Sequence, residues 1–232
     1  MKNRSIASSR AGRRAAGVIS RLLALVPGAC SRRPPVLVPP ASGVEAEAGF
    51  GSAAVSGEEA EIKGKFAFLF RRPGWGRVET FDAFGGTLYY MIFAGDEAYF
   101  VVPRKKIYVA DRPEEMIARS LGFSLRPDEI IELLGGRWGA EEPGAAATWA
   151  LSRDGNGRVV RGERGGLVFT VDEFFPGAGV PRVLRFNRPG TSGRLKILSL
   201  EFNPPARPGS FETPFLRRYA RKTWAEIEEM AR

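Results

Sequence analysis

The chain has 232 residues, 44% of them hydrophobic and 26% charged, with a formal net charge of +9, one cysteine and no histidine. The missing histidine removes the commonest general base and metal ligand, and a single cysteine excludes a disulfide within the chain. Six of the 35 basic residues (Lys2, Arg4, Arg10, Arg13, Arg14 and Arg21) precede Cys30 and no acid does, so the excess over the 26 acids falls from nine to three beyond that point. Without a basic stripe interleaved with stacking aromatics in the remainder, nucleic acid is not an expected partner. Nor is there a run of ~20 apolar residues to make an ordinary transmembrane helix.

Residues 1–29 have the layout of an export signal: a basic segment from Lys2 to Arg14, then Ala15–Ile19 and Leu22–Val26 as a short apolar stretch. Leu25-Val26-Pro27-Gly28-Ala29-Cys30 resembles a bacterial lipobox, in which small residues precede a cysteine that is lipidated and becomes the mature N-terminus. Residues 30–43 follow as a tether, because Pro34-Pro35 and Pro39-Pro40 suit extended chain rather than helix or sheet. Several acyl chains on Cys30 give stable anchoring where a single one does not.

Residues 44–213 read as one β-rich domain. Val44–Val55, carrying Glu45 and Glu47, is a weak first strand. Ile62–Arg71, Arg77–Asp82, Thr87–Ala94, Glu97–Val102 and Lys106–Val109 follow, cut by Pro73-Gly74, Gly85-Gly86 and Gly95-Asp96. Phe66, Phe68 and Phe70 fall on one face of the second strand, because strand side chains alternate. The pattern then changes. Asp111-Arg112-Pro113-Glu114 starts a helix capped by Asp111, with Met116, Ile117 and Leu121 apolar and Gly122 as its stop. Ser124–Glu129 opens a second helix with Ile130, Ile131, Leu133 and Leu134, ended by Gly135-Gly136. Strands resume at Thr148–Arg153, Arg158–Gly162, Gly166–Asp172, Pro181–Asn187 and Arg194–Asn203, the first two joined by the hairpin signal Asp154-Gly155-Asn156-Gly157. Residues 214–232 read as an amphipathic helix with Leu216, Ala220, Thr223, Ile227 and Met230 in one stripe.

No catalytic constellation emerges. Asp172 and Glu173 are adjacent strand residues and point to opposite faces. Gly162-Glu163-Arg164-Gly165-Gly166 has no following helix to cradle phosphate, and Asp154 with Asn156 supplies too few oxygens for calcium. A non-enzymatic protein with no cofactor and no metal is the expectation.

The strand and helix order, with Phe68-Leu69-Phe70-Arg71-Arg72-Pro73, Arg77-Val78-Glu79-Thr80, Asp82-Ala83-Phe84-Gly85-Gly86, Gly95-Asp96-Glu97-Ala98-Tyr99 and Leu121-Gly122-Phe123-Ser124-Leu125, resembles the LolA/LolB superfamily over residues 44–205. Those proteins carry lipoproteins across the bacterial periplasm and receive them at the outer membrane. The resemblance implies an open, unclosed antiparallel β-barrel of ten or eleven strands, mainly β with a helical lid formed by the two-helix insertion. Acyl chains of lipids or lipoproteins lie between sheet and lid, as in lipoprotein sorting or insertion. It also implies a monomer on the periplasmic face of the outer membrane, anchored in the inner leaflet and served by a periplasmic carrier protein.

The expected cavity lining is Phe66, Phe68, Phe70, Val78, Leu88, Tyr90, Ile92, Leu184, Phe186, Leu198, Leu200 and Phe202 from the sheet. Met116, Ile117, Leu121, Ile130 and Leu134 complete it from the lid. Phe84 takes the place of the apolar residue that the LolB branch exposes to the membrane. A lipid-anchored envelope interaction module with a filled core is the alternative. For the anchor, metabolic palmitate labelling is expected to disappear in Cys30→Ser; label retained by that variant contradicts the lipobox reading.

Overall fold

The computed structural model describes residues 37–57, 61–138, 149–205 and 207–230; the expected export signal and Cys30 lie outside the described residues. The first half is a meander: β1 (Ala46–Gly57), β2 (Glu61–Arg71), β3 (Trp75–Phe81), β4 (Thr87–Ala94), β5 (Glu97–Val102) and β6 (Ile107–Asp111). Helices α1 (Pro113–Leu121) and α2 (Pro127–Gly135) follow, then β7 (Ala150–Arg153), β8 (Val159–Arg164), β9 (Leu167–Phe174), β10 (Pro181–Arg188) and β11 (Thr191–Phe202). The tail supplies β12 (Ala220–Arg221) and α3 (Trp224–Glu229).

Among the described residues, twelve strands form one sheet in the order β12-β6-β5-β4-β3-β2-β1-β11-β10-β9-β8-β7. All neighbours are antiparallel except β12, which runs parallel to β6. The edges are β12 and β7, so the curved sheet is unclosed, as expected. Helices α1 and α2 carry the chain from the β6 edge toward the opposite edge across the concave face. Met116, Ile117, Ile131, Leu133 and Leu134 pack there with Phe68, Phe70, Phe93 and Phe186. On the β8–β10 side the interior is filled by rings: Trp138, Trp149 and Phe169 lie within 5.4 Å of one another by centroid.

Cross-strand register explains how large rings fit on the inner face. Gly49 and Gly51 of β1 stand opposite Phe68 and Phe66 of β2, Gly76 of β3 opposite Phe70, and Gly162 of β8 opposite Phe169. A Cβ at Gly76 would lie 2.6 Å from the Phe70 ring, and one at Gly162 2.2 Å from Phe169. Each ring therefore leans across the neighbouring strand and occupies the space a side chain would take, the known rescue of a strand glycine by an aromatic.

Two local expectations change. Asp111 does not cap α1; the cap residue is Arg112, whose side chain makes no capping bond. Asp111 instead accepts from the Arg112 N–H at 2.9 Å and from Trp224 Nε1–H at 2.8 Å.

The tail is not one helix over 214–232. It is a 3-10 turn at Pro214–Arg218, the strand β12 and the short α3. Its apolar residues find separate partners along the sheet: Phe211 on Trp75, Phe215 on Tyr90, and Leu216 in a small cluster with Ile92 and Val101. The tail is thus a strap across the convex face. It pairs with the edge of β6, donating from Ala220 N–H to Lys106 O and from Lys222 N–H to Tyr108 O, and it ends with Trp224 against Phe100 and Arg119 of α1. Thr223 caps α3, accepting from Glu226 N–H, which restarts a helix where the extended segment ends.

Gly76→Ala is expected to lower stability by about 1–3 kcal/mol, the usual cost of overpacking, because the new methyl displaces Phe70 and Phe93. Urea denaturation measures this, and an unchanged midpoint contradicts the ring-over-glycine packing.

Candidate functional site

Between the ring-covered floor of β2–β4 and the underside of α1 and α2 lies an apolar hollow of about 90 Å³. Its floor is Phe66, Phe68, Phe70, Val78, Tyr89, Met91 and Phe93, with Ala53, Phe186, Leu195 and Ile197 from the neighbouring strands. Its roof is Ile117, Leu121, Leu125, Ile130, Leu133 and Leu134. Consecutive rings of β2 are 5.9 and 6.1 Å apart, and Phe70 stacks on Phe93 at 6.1 Å. Ser120, on the roof, is satisfied by donating to Met116 O at 2.9 Å and contacts Met91 Sδ at 3.0 Å. Buried Phe70, Phe93 and Leu134 seal one end. Half-buried Phe66, Tyr89 and Leu121 border the other.

Of the expected lining, Phe66, Phe68, Phe70, Val78, Ile117, Leu121, Ile130, Leu134 and Phe186 face the hollow. Met116 and Leu184 are fully buried in the core beside it, and Leu200 and Phe202 pack against that core half-buried. The remainder lie elsewhere. Tyr90 and Ile92 point to the convex face, under Leu216 and Phe215 of the strap. Leu88, on their side, is 39% exposed.

The inward set on β4 is Tyr89, Met91 and Phe93. Periodicity misses it because both faces of this strand are covered and every second residue is apolar in either frame. The signal that finds it is register: Val78 pairs with Met91 across the β3–β4 hairpin, and directly paired residues share a face.

Leu198 is 44% exposed because β11 bulges there. Phe50 pairs with Ser199 while the next residue, Gly51, pairs with Ile197. Leu195 and Ile197 line the hollow before the bulge, which breaks the alternation that joins Leu198 to Leu200 and Phe202.

Polar contacts hold α2 over the far end. Gly74 N–H donates to Asp128 Oδ1 at 3.0 Å, Arg72 pairs with Glu132 at 3.5 Å, and Arg164 pairs with Glu129, which also accepts from Trp149 Nε1–H at 3.4 Å. By contrast α1 is held by apolar side chains and by its own Arg119, which lies over Trp224 at 5.0 Å and 3.6 Å from Glu228.

One buried carboxyl lies beside the fixed end of α2. Glu47 is fully buried on β1, with no hydrogen-bond partner for either oxygen among the described residues. Its strand neighbours are Phe70 and Phe202, and a Cβ at Gly135 of α2 would lie 2.7 Å from its Oε1. Burial raises its pKa well above the ordinary 4.5, opposed only in part by the charge of Arg72.

At the rim bordered by Phe66 and Tyr89, the β3–β4 turn projects Phe84, 99% exposed. The turn is built on Asp82. Its Oδ1 accepts from Phe84 N–H at 2.9 Å and Gly86 N–H at 2.8 Å, and its Oδ2 holds Arg104 at 2.5 Å. The Gly86 N–H foremost, with Arg104, holds the Asp82 pKa below the usual 3.8 against some desolvation. Phe84 is thus presented to solvent by a closed hydrogen-bonded turn and has no packing of its own.

No protein-family model matches the sequence, and no curated protein does. Solved structures do. A DUF1329 family protein from Desulfovibrio piger superposes with a TM-score of 0.50 at 10% identity, over 75% of this chain and 92% of that one. A LolA superfamily protein from Nitrosomonas europaea gives a TM-score of 0.47 at 10% identity over 73% and 90%. A domain from Vibrio parahaemolyticus described as an outer-membrane lipoprotein-sorting protein gives 0.48 at 10% over 75% and 92%. The similarity to the first is one of fold. An open sheet under a helical cover is the architecture that the LolA/LolB resemblance implied.

A raised carboxyl pKa means the folded protein binds the Glu47 proton more tightly than the unfolded chain. The stability that Glu47 contributes is therefore fully present below pH 4.5 and is lost as pH rises through the raised value. Glu47→Gln is expected to raise the urea midpoint at pH 8 and to leave it unchanged at pH 4. An equal difference at both pH values contradicts a neutral, buried Glu47.

Proposed function

We propose that this chain is a non-enzymatic lipoprotein of the bacterial envelope, anchored through Cys30 to the inner leaflet of the outer membrane. It binds acyl chains of lipids or lipoproteins between the ring floor and the helical lid, in lipoprotein sorting or insertion. The observation that carries the reading is the hollow itself. It is lined almost wholly by carbon, and its less sealed end is at the rim where Phe84 protrudes.

Burial of each CH₂ contributes ~0.8 kcal/mol, so part of one acyl chain supplies several kcal/mol with no polar chemistry. At about 90 Å³ the hollow is smaller than the ~150 Å³ that accommodates benzene. A chain therefore enters by displacing the lid. The freer half is α1 with the Leu121–Leu125 link, since α2 is held at Asp128, Glu129 and Glu132. Cargo leaving at that rim meets the membrane beside Phe84, as in the LolB branch, with a periplasmic carrier protein as donor and the protein acting as a monomer.

A fluorescent fatty acid is expected to bind the mature protein saturably and to be lost from Phe68→Asp with the circular dichroism spectrum retained. Phe84→Ser keeps uptake but slows transfer of the probe to vesicles. Absence of uptake by the parent protein overturns the carrier reading and leaves the anchored interaction module.

A further inference from the structure

We propose that the groove between the convex face of the sheet and the C-terminal strap is a second binding site, for a phosphate ester carrying a flat or apolar organic group. The groove has a volume of about 850 Å³, within the ~300–1,000 Å³ typical of small-molecule sites. Register sets its floor: Arg71, Trp75, Ala94 and Glu97 are successive partners in one row across β2, β3, β4 and β5. Its other wall is the strap from Arg207 to Arg217, held to the floor by Phe211 on Trp75 at 5.8 Å.

Besides Arg72, three guanidinium groups border this space: Arg71, Arg207 and Arg217. None of their side chains has an ion-pair or hydrogen-bond partner among the described residues, whereas neighbouring Arg77 is paired with Glu79 and Arg72 with Glu132. Of the two carboxylates in the groove, Glu97 already accepts from the Tyr99 hydroxyl; Glu212 is the other. Guanidinium is the side chain best matched to phosphate, through paired N–H donors. The faces of Trp75, Tyr99 and Phe211 suit an attached ring or short apolar group. The basic N-terminal segment has the same sign of charge as these arginines and does not fit as the occupant.

The site is separate from the acyl hollow. Arg71 follows Phe70 on β2, and successive strand residues point to opposite faces, so the sheet stands between the two ligands. The inference consequently does not depend on the function proposed above.

The test titrates the mature full-length protein with phenyl phosphate and with inorganic phosphate by calorimetry, beside fatty-acid uptake on the same samples. Phenyl phosphate is expected to bind saturably and more tightly than inorganic phosphate. Arg71→Gln and Arg217→Gln are each expected to weaken it about tenfold, as for loss of a charge-assisted contact, with uptake unchanged. Sedimentation with phosphatidylglycerol vesicles that phenyl phosphate competes away identifies a lipid headgroup as the source; sedimentation indifferent to it identifies a soluble ester. No saturable binding of phenyl phosphate, or binding that both substitutions leave intact, overturns the site.

Discussion

A phenylalanine on the inner face of a strand either stands up into the interior or leans across to the next strand, and a glycine opposite decides which. In this protein Gly49, Gly51 and Gly76 receive Phe68, Phe66 and Phe70. The rings thereby tile the floor instead of filling the space above it. Lid side chains then rest on the tiles rather than between them, and a hollow persists under α1 and α2. On the other flank Trp138, Trp149 and Phe169 meet at stacking and edge distances, and the interior there is filled. The lid is therefore braced on its filled side and lightly supported on its hollow side.

Much of the fold was legible in the residues. Every turn named from Gly, Pro and Asp pairs separates two elements, β4 and β5 begin and end where composition places them, and Gly122 and Gly136 end the two helices in the left-handed conformation. What failed was long-range. Nothing local in Leu88–Phe93 tells which alternate set faces the lid, because the strap makes the convex side of β4 as apolar as the concave side. The tail misled for the same reason. Its apolar spacing fits a helical stripe, yet Phe215 and Leu216 are placed by Tyr90, Ile92 and Val101, and Trp224 separately by Phe100. The bulge at Leu198 left no mark in its alternation.

The two halves of the lid are held by different physics. Charge and hydrogen bonds at Asp128, Glu129 and Glu132 are directional and fix α2 in place. Apolar contact, Ser120 against Met91 and the half-exposed Arg119, over the Trp224 indole and beside Glu228, hold α1, and such contacts allow sliding. The strap, having covered the convex face, closes around the β6 edge onto α1. In the proposed function, entry by an acyl chain involves α1, the Leu121–Leu125 link and the rim of Phe66 and Tyr89, on the side where Asp82 holds Phe84 away from the protein.

The central claim is that a cavity of about 90 Å³ enlarges by lid movement to admit hydrocarbon. Pulsed electron–electron spin resonance between labels at Glu115 on α1 and Lys65 on β2, in a Cys30→Ser background, tests it most directly. Saturating fatty acid is predicted to move the distance distribution to longer values. A distribution unchanged by bound fatty acid would contradict the account.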